Sequence, residues 1–207
     1  MSLKRLQYEL QRIWLSQVRN EALSHNSMWQ RALRLRSEIC FIVDNLLSYI
    51  QMDALESQFN KLIKNVEKLK DFEQVRHSHD TYLSNLLQQF FLNMPRLMKC
   101  IKDIMRTGRD LCFLLNRLES NFEGEEYYEN EEIQWEQKDQ DLFDNIQERF
   151  QNTAVQLFDL LNAIKTTQSS QALAQLMLRL DFNRYYSHQS ELRNHDFDQR
   201  VLHGFSG

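Results

Sequence analysis

An all-α fold, a multi-helix bundle built on one long central helix, is what this 207-residue sequence predicts. Three observations carry the prediction. Helix breakers are almost absent: there are four Gly and one Pro, and Gly204 and Gly207 fall in the last four residues. Apolar residues recur at alternating steps of three and four, the spacing that lines one face of an α-helix. Strand signals, meaning alternating β-branched runs closed by Asn-Gly or Asp-Gly, are missing from the sequence.

Leu3, Leu6, Leu10, Ile13, Trp14 and Val18 form the first stripe, which ends near Ser24, and His25-Asn26 reads as a short turn. Ser27-Met28-Trp29-Gln30 has the form of a capping box, with the Ser27 hydroxyl accepting from a free amide and Gln30 reaching back. It opens the long helix, predicted to run to about Leu69. Leu35, Ile39, Ile42, Leu46 and Ile50 line one face. The next turn calls for an apolar residue near Asp53 or Ala54, but the stripe resumes at Leu55, Phe59, Leu62, Val66 and Leu69. The face therefore rotates around Gln51-Met52-Asp53, by a bend or a change of packing partner. No Pro or Gly interrupts Arg36 to Asp80. A helix of about 40 residues is roughly 60 Å long, a rod that touches several neighbours and serves as a spine.

Asp71-Phe72-Glu73-Gln74 repeats the start signal, with Asp71 as cap and acids at the positive helix end. The stripe Phe72, Val75, His79, Tyr82, Leu83, Leu86 and Phe90 follows, closing at Asn93-Met94-Pro95. Pro95 suits the first turn of the next helix, whose stripe is Leu97, Ile101, Ile104, Gly108, Leu111, Leu115 and Leu118. Gly108 lies on that apolar face, where it marks either a close approach by another helix or a local kink, since a helix-interior Gly costs about 1 kcal/mol against Ala. From Ser120 to Lys138 the chain is acidic and aperiodic, which reads as a flexible insertion. Phe143, Ile146, Phe150, Ala154, Leu157, Leu161 and Ile164 restore the period, and after TTQSS a last helix carries Leu173, Leu176, Met177 and Leu180. The expectation is six helices packed as a bundle, antiparallel where links are short, with a polar tail over 187–207.

Net charge is −4, but it is segregated. Glu119–Asp141 holds ten acidic residues and one Lys, a local −9, which leaves the rest of the chain at +5. No apolar run approaches the roughly 18 residues of a membrane span. Cys40, Cys100 and Cys112 are odd in number and lack C-x-x-C spacing, so they read as reduced, mostly buried thiols of a cytosolic protein.

Chemistry-bearing patterns are few. A phosphate loop needs several glycines before a helix, and the sequence lacks them. No Glu has a His three residues on, as a di-metal bundle requires. His77 and His79, two apart on a helix, point away from each other and cannot share an ion. His79 lies on the apolar face and reads as a core histidine with a polar partner. No catalytic residue, cofactor site or metal site is expected. Lys61, Lys64 and Lys68 share a helix face, as do Arg31 and Arg34, and such a face is either solvated or a surface for an acidic partner. Asp53 and Glu56 flank the rotated stripe, as a bend-stabilising polar pair or as partner contacts. The basic excess is too small for nucleic acid, and no membrane association is indicated.

Three blocks say more. FIVDNLLSYIQMDALESQF (Phe41–Phe59), DFEQVRHSHDTYLSNLLQQFFL (Asp71–Leu92) and LAQLMLRLDFNRYY (Leu173–Tyr186) resemble, in the same order, the C-terminal half of the gamma-tubulin complex components, nearest the component 4 branch. The resemblance covers most of Leu3 to Tyr186. It implies a helical domain over 1–186 that binds gamma-tubulin, incomplete at its N-terminal side, with Glu119–Asp141 as an insertion. It also implies other complex components as partners, a place at a microtubule-organising centre of the cytoplasmic cytoskeleton (centrosome or spindle pole), and a part in microtubule nucleation without catalysis. Within the last block, Leu178, Leu180 and Phe182 read as core, and Asp181 as an ion-pair partner of Arg179 or Arg184. The alternative reading is a truncated adaptor or competitor that holds gamma-tubulin without joining the ring.

Overall fold

The computed structural model describes residues 2–18, 26–122, 135–167 and 171–192. Seven α-helices follow in order: α1 (Leu3–Val18), α2 (Ser27–Ser48), α3 (Ser57–Val66), α4 (Phe72–Gln89), α5 (Pro95–Phe122), α6 (Gln137–Thr167) and α7 (Gln171–Leu180). A π-helical segment, Tyr49–Glu56, lies between α2 and α3, and residues 185–192 are again helical. The fold is all-α, with no strand among the described residues. The acidic stretch is helical at both margins, since α5 reaches Phe122 and α6 starts at Gln137. Its residues 123–134 lie outside the described residues.

The chain divides into two compact units, Met1–Asp44 with Ile101–Thr153, and Asn45–Cys100 with Ala154–Gly207. In the first, α1 and stretches of α2, α5 and α6 share a core of Leu6, Leu10, Trp29, Ile39, Leu111 and Phe143. Gly108 of α5 sits where a Cβ would lie 3.0 Å from a Leu6 methyl and 3.2 Å from Ile39 Cγ2. The glycine on the apolar stripe is thus a contact point with α1 and α2. Arg36 is buried there and its Nε donates to the Leu10 carbonyl at 2.9 Å, with the guanidinium 5.1 Å over the Trp14 ring. The α2 start is set by Asn26, not Ser27: the Asn26 side-chain oxygen accepts from the Met28 and Trp29 amides at 3.0 and 3.1 Å.

In the second unit, Leu46, Tyr49, Leu97, Leu157, Phe158 and Leu176 are among the buried residues. The single helix predicted from Ser27 to Leu69 is three helical segments in succession, with the change of pitch at Tyr49–Glu56. The buried residues of the π-helical segment, Tyr49 and Ala54, are five apart, the period of i→i+5 bonding. The widened turn moves the inward face to Ala54 and Gln58, so Leu55 and Phe59 of the expected stripe are exposed.

Helix α4 begins as the sequence indicates, with Asp71 accepting from the Glu73 amide, but none of its residues is buried. His79 is exposed beside Asp80, at 3.9 Å, and is no core histidine. Helix α4 packs on α3 and the π-helical segment, too little cover to bury a full stripe. It ends through Phe91, whose φ of 59° is left-handed and whose neighbour Leu92 donates back to the Leu87 carbonyl at 3.3 Å. A non-glycine residue there costs about 1 kcal/mol, which Phe91 offsets by being buried and stacking on Tyr49 at 5.4 Å. Leu180 is core, whereas Leu178 and Phe182 are exposed. Asp181 does not pair with a neighbouring arginine. Its carboxylate caps the final helical segment, accepting from the Tyr186 and Ser187 amides at 2.9 and 3.1 Å. That helix includes 187–192, the start of the stretch expected as a polar tail, and Ser190 donates to Asp159.

Candidate functional site

Two cationic faces were legible in the sequence, and they have different surroundings. Arg31, in the first unit, is engaged: it donates to Asp144 at 2.8 Å and to Gln147 at 3.0 Å, and lies 5.1 Å from the Phe143 ring centre. Arg34 reaches Glu38 one turn on at 3.7 Å. Burial raises the Glu38 carboxyl above its usual range, and Arg34 partly counters this. These contacts tie α2 to α6 and to itself.

Lys61, Lys64 and Lys68, in the second unit, are exposed and make no ion pair among the described residues. Two adjoining grooves run beside them. The first, about 740 Å³, is bounded by Tyr49, Asp53, Gln58, Lys61, Gln89 and Leu173, among others. The second, about 730 Å³, lies between α3 and α4, with Lys61, Leu62, Lys68, Glu73, His77 and Tyr82 in its walls. Gln58, Lys61 and Asn85 line both. Lys64 lines neither, so the lysine face is split: two of its members border grooves and one faces away from them.

Asp53 and Glu56 do not act as a pair. Asp53 is bound by Arg179 of α7, fastening the π-helical segment to that helix. Glu56 is exposed and makes no ion pair among the described residues. The groove's far wall is set by Tyr49, whose hydroxyl donates to the Gln89 carbonyl at 3.0 Å. Burial pushes the Tyr49 phenol up to about 12, with the Asp53 carboxylate adding to the shift, so it is a permanent donor. Gln58 and Gln89 were not singled out from sequence, and Arg179, expected to pair with Asp181, pairs with Asp53 instead. The change of pitch between Ile50 and Phe59 brings Gln58 inward, and the stripe pattern pointed to Phe59 instead.

Around this surface, α3 and α4 expose large apolar side chains, with Phe59, Ile63, Phe72, Leu83 and Leu87 all open to solvent and Phe72 75% so. No group of three His, Cys, Asp or Glu among the described residues is placed to hold a metal ion. No helix of the described residues is long and apolar enough to cross a membrane. Uncommitted cations, apolar side chains and side-chain amides thus lie side by side on this surface.

Residues 1–186 match the family model described as Gamma tubulin complex component C-terminal. The chain is 34% identical over 187 residues to gamma-tubulin complex component 4 of Mus musculus and to that of Homo sapiens, an alignment spanning 90% of this chain and 26% of each relative. It is 29% identical over 202 residues to gamma-tubulin complex component 4 of Arabidopsis thaliana, spanning 89% of this chain and 25% of the relative. The chain thus spans about a quarter of the length of the relatives it matches.

Proposed function

The chain belongs to the gamma-tubulin complex component family, and on that premise we propose that it is a non-catalytic, gamma-tubulin-binding subunit element that supports microtubule nucleation at microtubule-organising centres of the cytoskeleton. The observation that carries this reading is the family match across residues 1–186, which takes in helices α1 to α7. The second unit supports it physically. Its α3–α4 hairpin carries apolar side chains and lysines that the fold itself leaves unused. A tubulin-type partner is acidic, so lysines without internal partners favour encounter with it. Other gamma-tubulin complex components are the expected neighbours in the assembly.

The test is capture of purified gamma-tubulin by the 207-residue chain, read by co-sedimentation beside a circular dichroism melt. Saturable, roughly stoichiometric capture is expected. Reversing Lys61, Lys64 and Lys68 to Glu is expected to weaken capture by about tenfold with helicity intact, the scale of losing a few surface charge contacts. Capture that is absent from a well-folded chain would overturn the reading. Capture that survives the triple reversal would move the contact to the arginine face or to the exposed apolar residues.

A further inference from the structure

We propose that the two adjoining grooves walled by the π-helical segment, α3 and α4 hold an extended, acidic stretch of polypeptide from a partner protein. The proposal shares Lys61 and Lys68 with the face assigned above to gamma-tubulin, but it rests on what lines the grooves and its test uses no gamma-tubulin.

First, the lining is rich in side-chain amides. Gln58, Asn85, Gln88, Gln89 and Gln175 border the first groove, and Asn65 and Gln74 border the second. An amide offers a donor and an acceptor together, the complement of a peptide backbone in extended form. Second, the amides central to the site are not satisfied within the fold. Gln58 is 7% exposed, lines both grooves, and its side chain makes no hydrogen bond among the described residues. The side-chain oxygen of Gln89 is buried and has no donor. Buried polar groups are normally paired, and one left unpaired costs stability; the Gln89 oxygen is such a group, whereas the Gln58 amide keeps access to solvent at the grooves with no partner in the fold. Third, the charge is positive. Lys61 and Lys68 are uncommitted, whereas the acids in the lining are neutralised, Asp53 by Arg179 and Glu73 by Arg76 at 2.8 Å.

These three features select the occupant. A lipid phosphate or a free anion only accepts hydrogen bonds and leaves the side-chain amide oxygens of the lining without donors, while a peptide offers N–H and C=O together. Backbone reading by amides is insensitive to side-chain identity, and the lysines add a preference for Asp and Glu. Half-buried Leu62 and Tyr82 supply an apolar floor to the second groove. Along α3, Gln58 to Asn65 spans about 10 Å, the reach of about three extended residues, and the first groove continues beyond Gln58.

The experiment is fluorescence anisotropy with the full 207-residue chain and a fluorescein-labelled (Glu-Gly)₆ peptide, beside its (Gln-Gly)₆ counterpart and sedimentation with phosphatidylserine vesicles. Saturable binding of the acidic peptide is expected, with weaker binding of the Gln form. Gln58→Leu and the pair Lys61→Gln with Lys68→Gln should each weaken it about tenfold, whereas Lys64→Gln, on the same helix but outside the grooves, should not. The lysine pair is exposed and leaves the core intact, so it decides the matter if Gln58→Leu unfolds. No saturable binding, equal losses from Lys64→Gln and the groove pair, or binding to vesicles but not to peptide would each overturn the proposal.

Discussion

Gly108 shows how one residue can be fixed by its neighbours. The space beside it is filled by Leu6 and Ile39, so a Cβ there would lie only 3.0–3.2 Å from their methyl carbons, tighter than ordinary contact. Leu at this position would need α1 and α2 to move, so Gly108→Leu is expected to cost about 1–3 kcal/mol, read as a lower urea midpoint with unchanged slope. A neutral result would show that the helices separate freely. Cys112, four residues on, is buried in the same unit, and burial pushes its thiol up to about 12, helped by the Glu9 carboxylate. In an unfolded chain the thiol ionises near about 8.5. Below that pH both states hold the proton, and above it the unfolded state releases it first. Stability should therefore fall as pH rises from about 9 towards 12. Urea titrations between pH 8 and 10 should show this loss, and Cys112→Ala should flatten it. An identical slope in the variant would mean that the thiol is solvated in the native state.

At the scale of elements, the sequence led to the right fold class and to most helix limits, because stripes at steps of three and four, Asp71 and Pro95 are local signals. It located a rotation of the apolar face at Gln51-Met52-Asp53, where the structure has a π-helical segment. It did not foresee which residues follow inward. A wider turn advances the face by an amount that depends on how many residues adopt it, and stripe counting assumes a fixed pitch. For the same reason Leu55 and Phe59 were read as core and Gln58 was overlooked. The exposed α4 stripe, with His79 in it, shows the other gap: periodicity reports that a face is apolar, not that anything covers it. Contacts far apart in sequence were the least legible, as with Arg179, which reaches Asp53 in place of Asp181. That pair, with side chains 37% and 23% exposed, is expected to hold the π-helical segment to α7. A double-mutant cycle of Asp53→Asn and Arg179→Met should give a coupling of about 1 kcal/mol, between the values for exposed and for buried pairs. A coupling of zero would leave apolar packing as the fastening between these elements.

For the whole molecule the separation of charge decides more than the total. The acidic stretch carries −9 and the rest +5, and Lys61, Lys64 and Lys68, which make no ion pair among the described residues, lie together on one helix and the turn after it. Helix pairs such as Arg34 with Glu38 are self-contained and present little field. Lys61, Lys64 and Lys68 are unopposed and would act on an approaching acidic protein. Such action is long-ranged only at low ionic strength, because the screening length shrinks from about 14 Å at 50 mM to about 4 Å at 500 mM. If capture of gamma-tubulin is steered by this face, the association rate should fall about tenfold across that range while the dissociation rate changes little, as measured by surface plasmon resonance with the full chain. The triple Glu reversal should then remove the salt dependence of association. A flat association rate in the unmodified chain would assign recognition to the exposed apolar residues of α3 and α4, since burial of Phe59, Ile63 or Leu87 is indifferent to screening and is reflected in the dissociation rate instead.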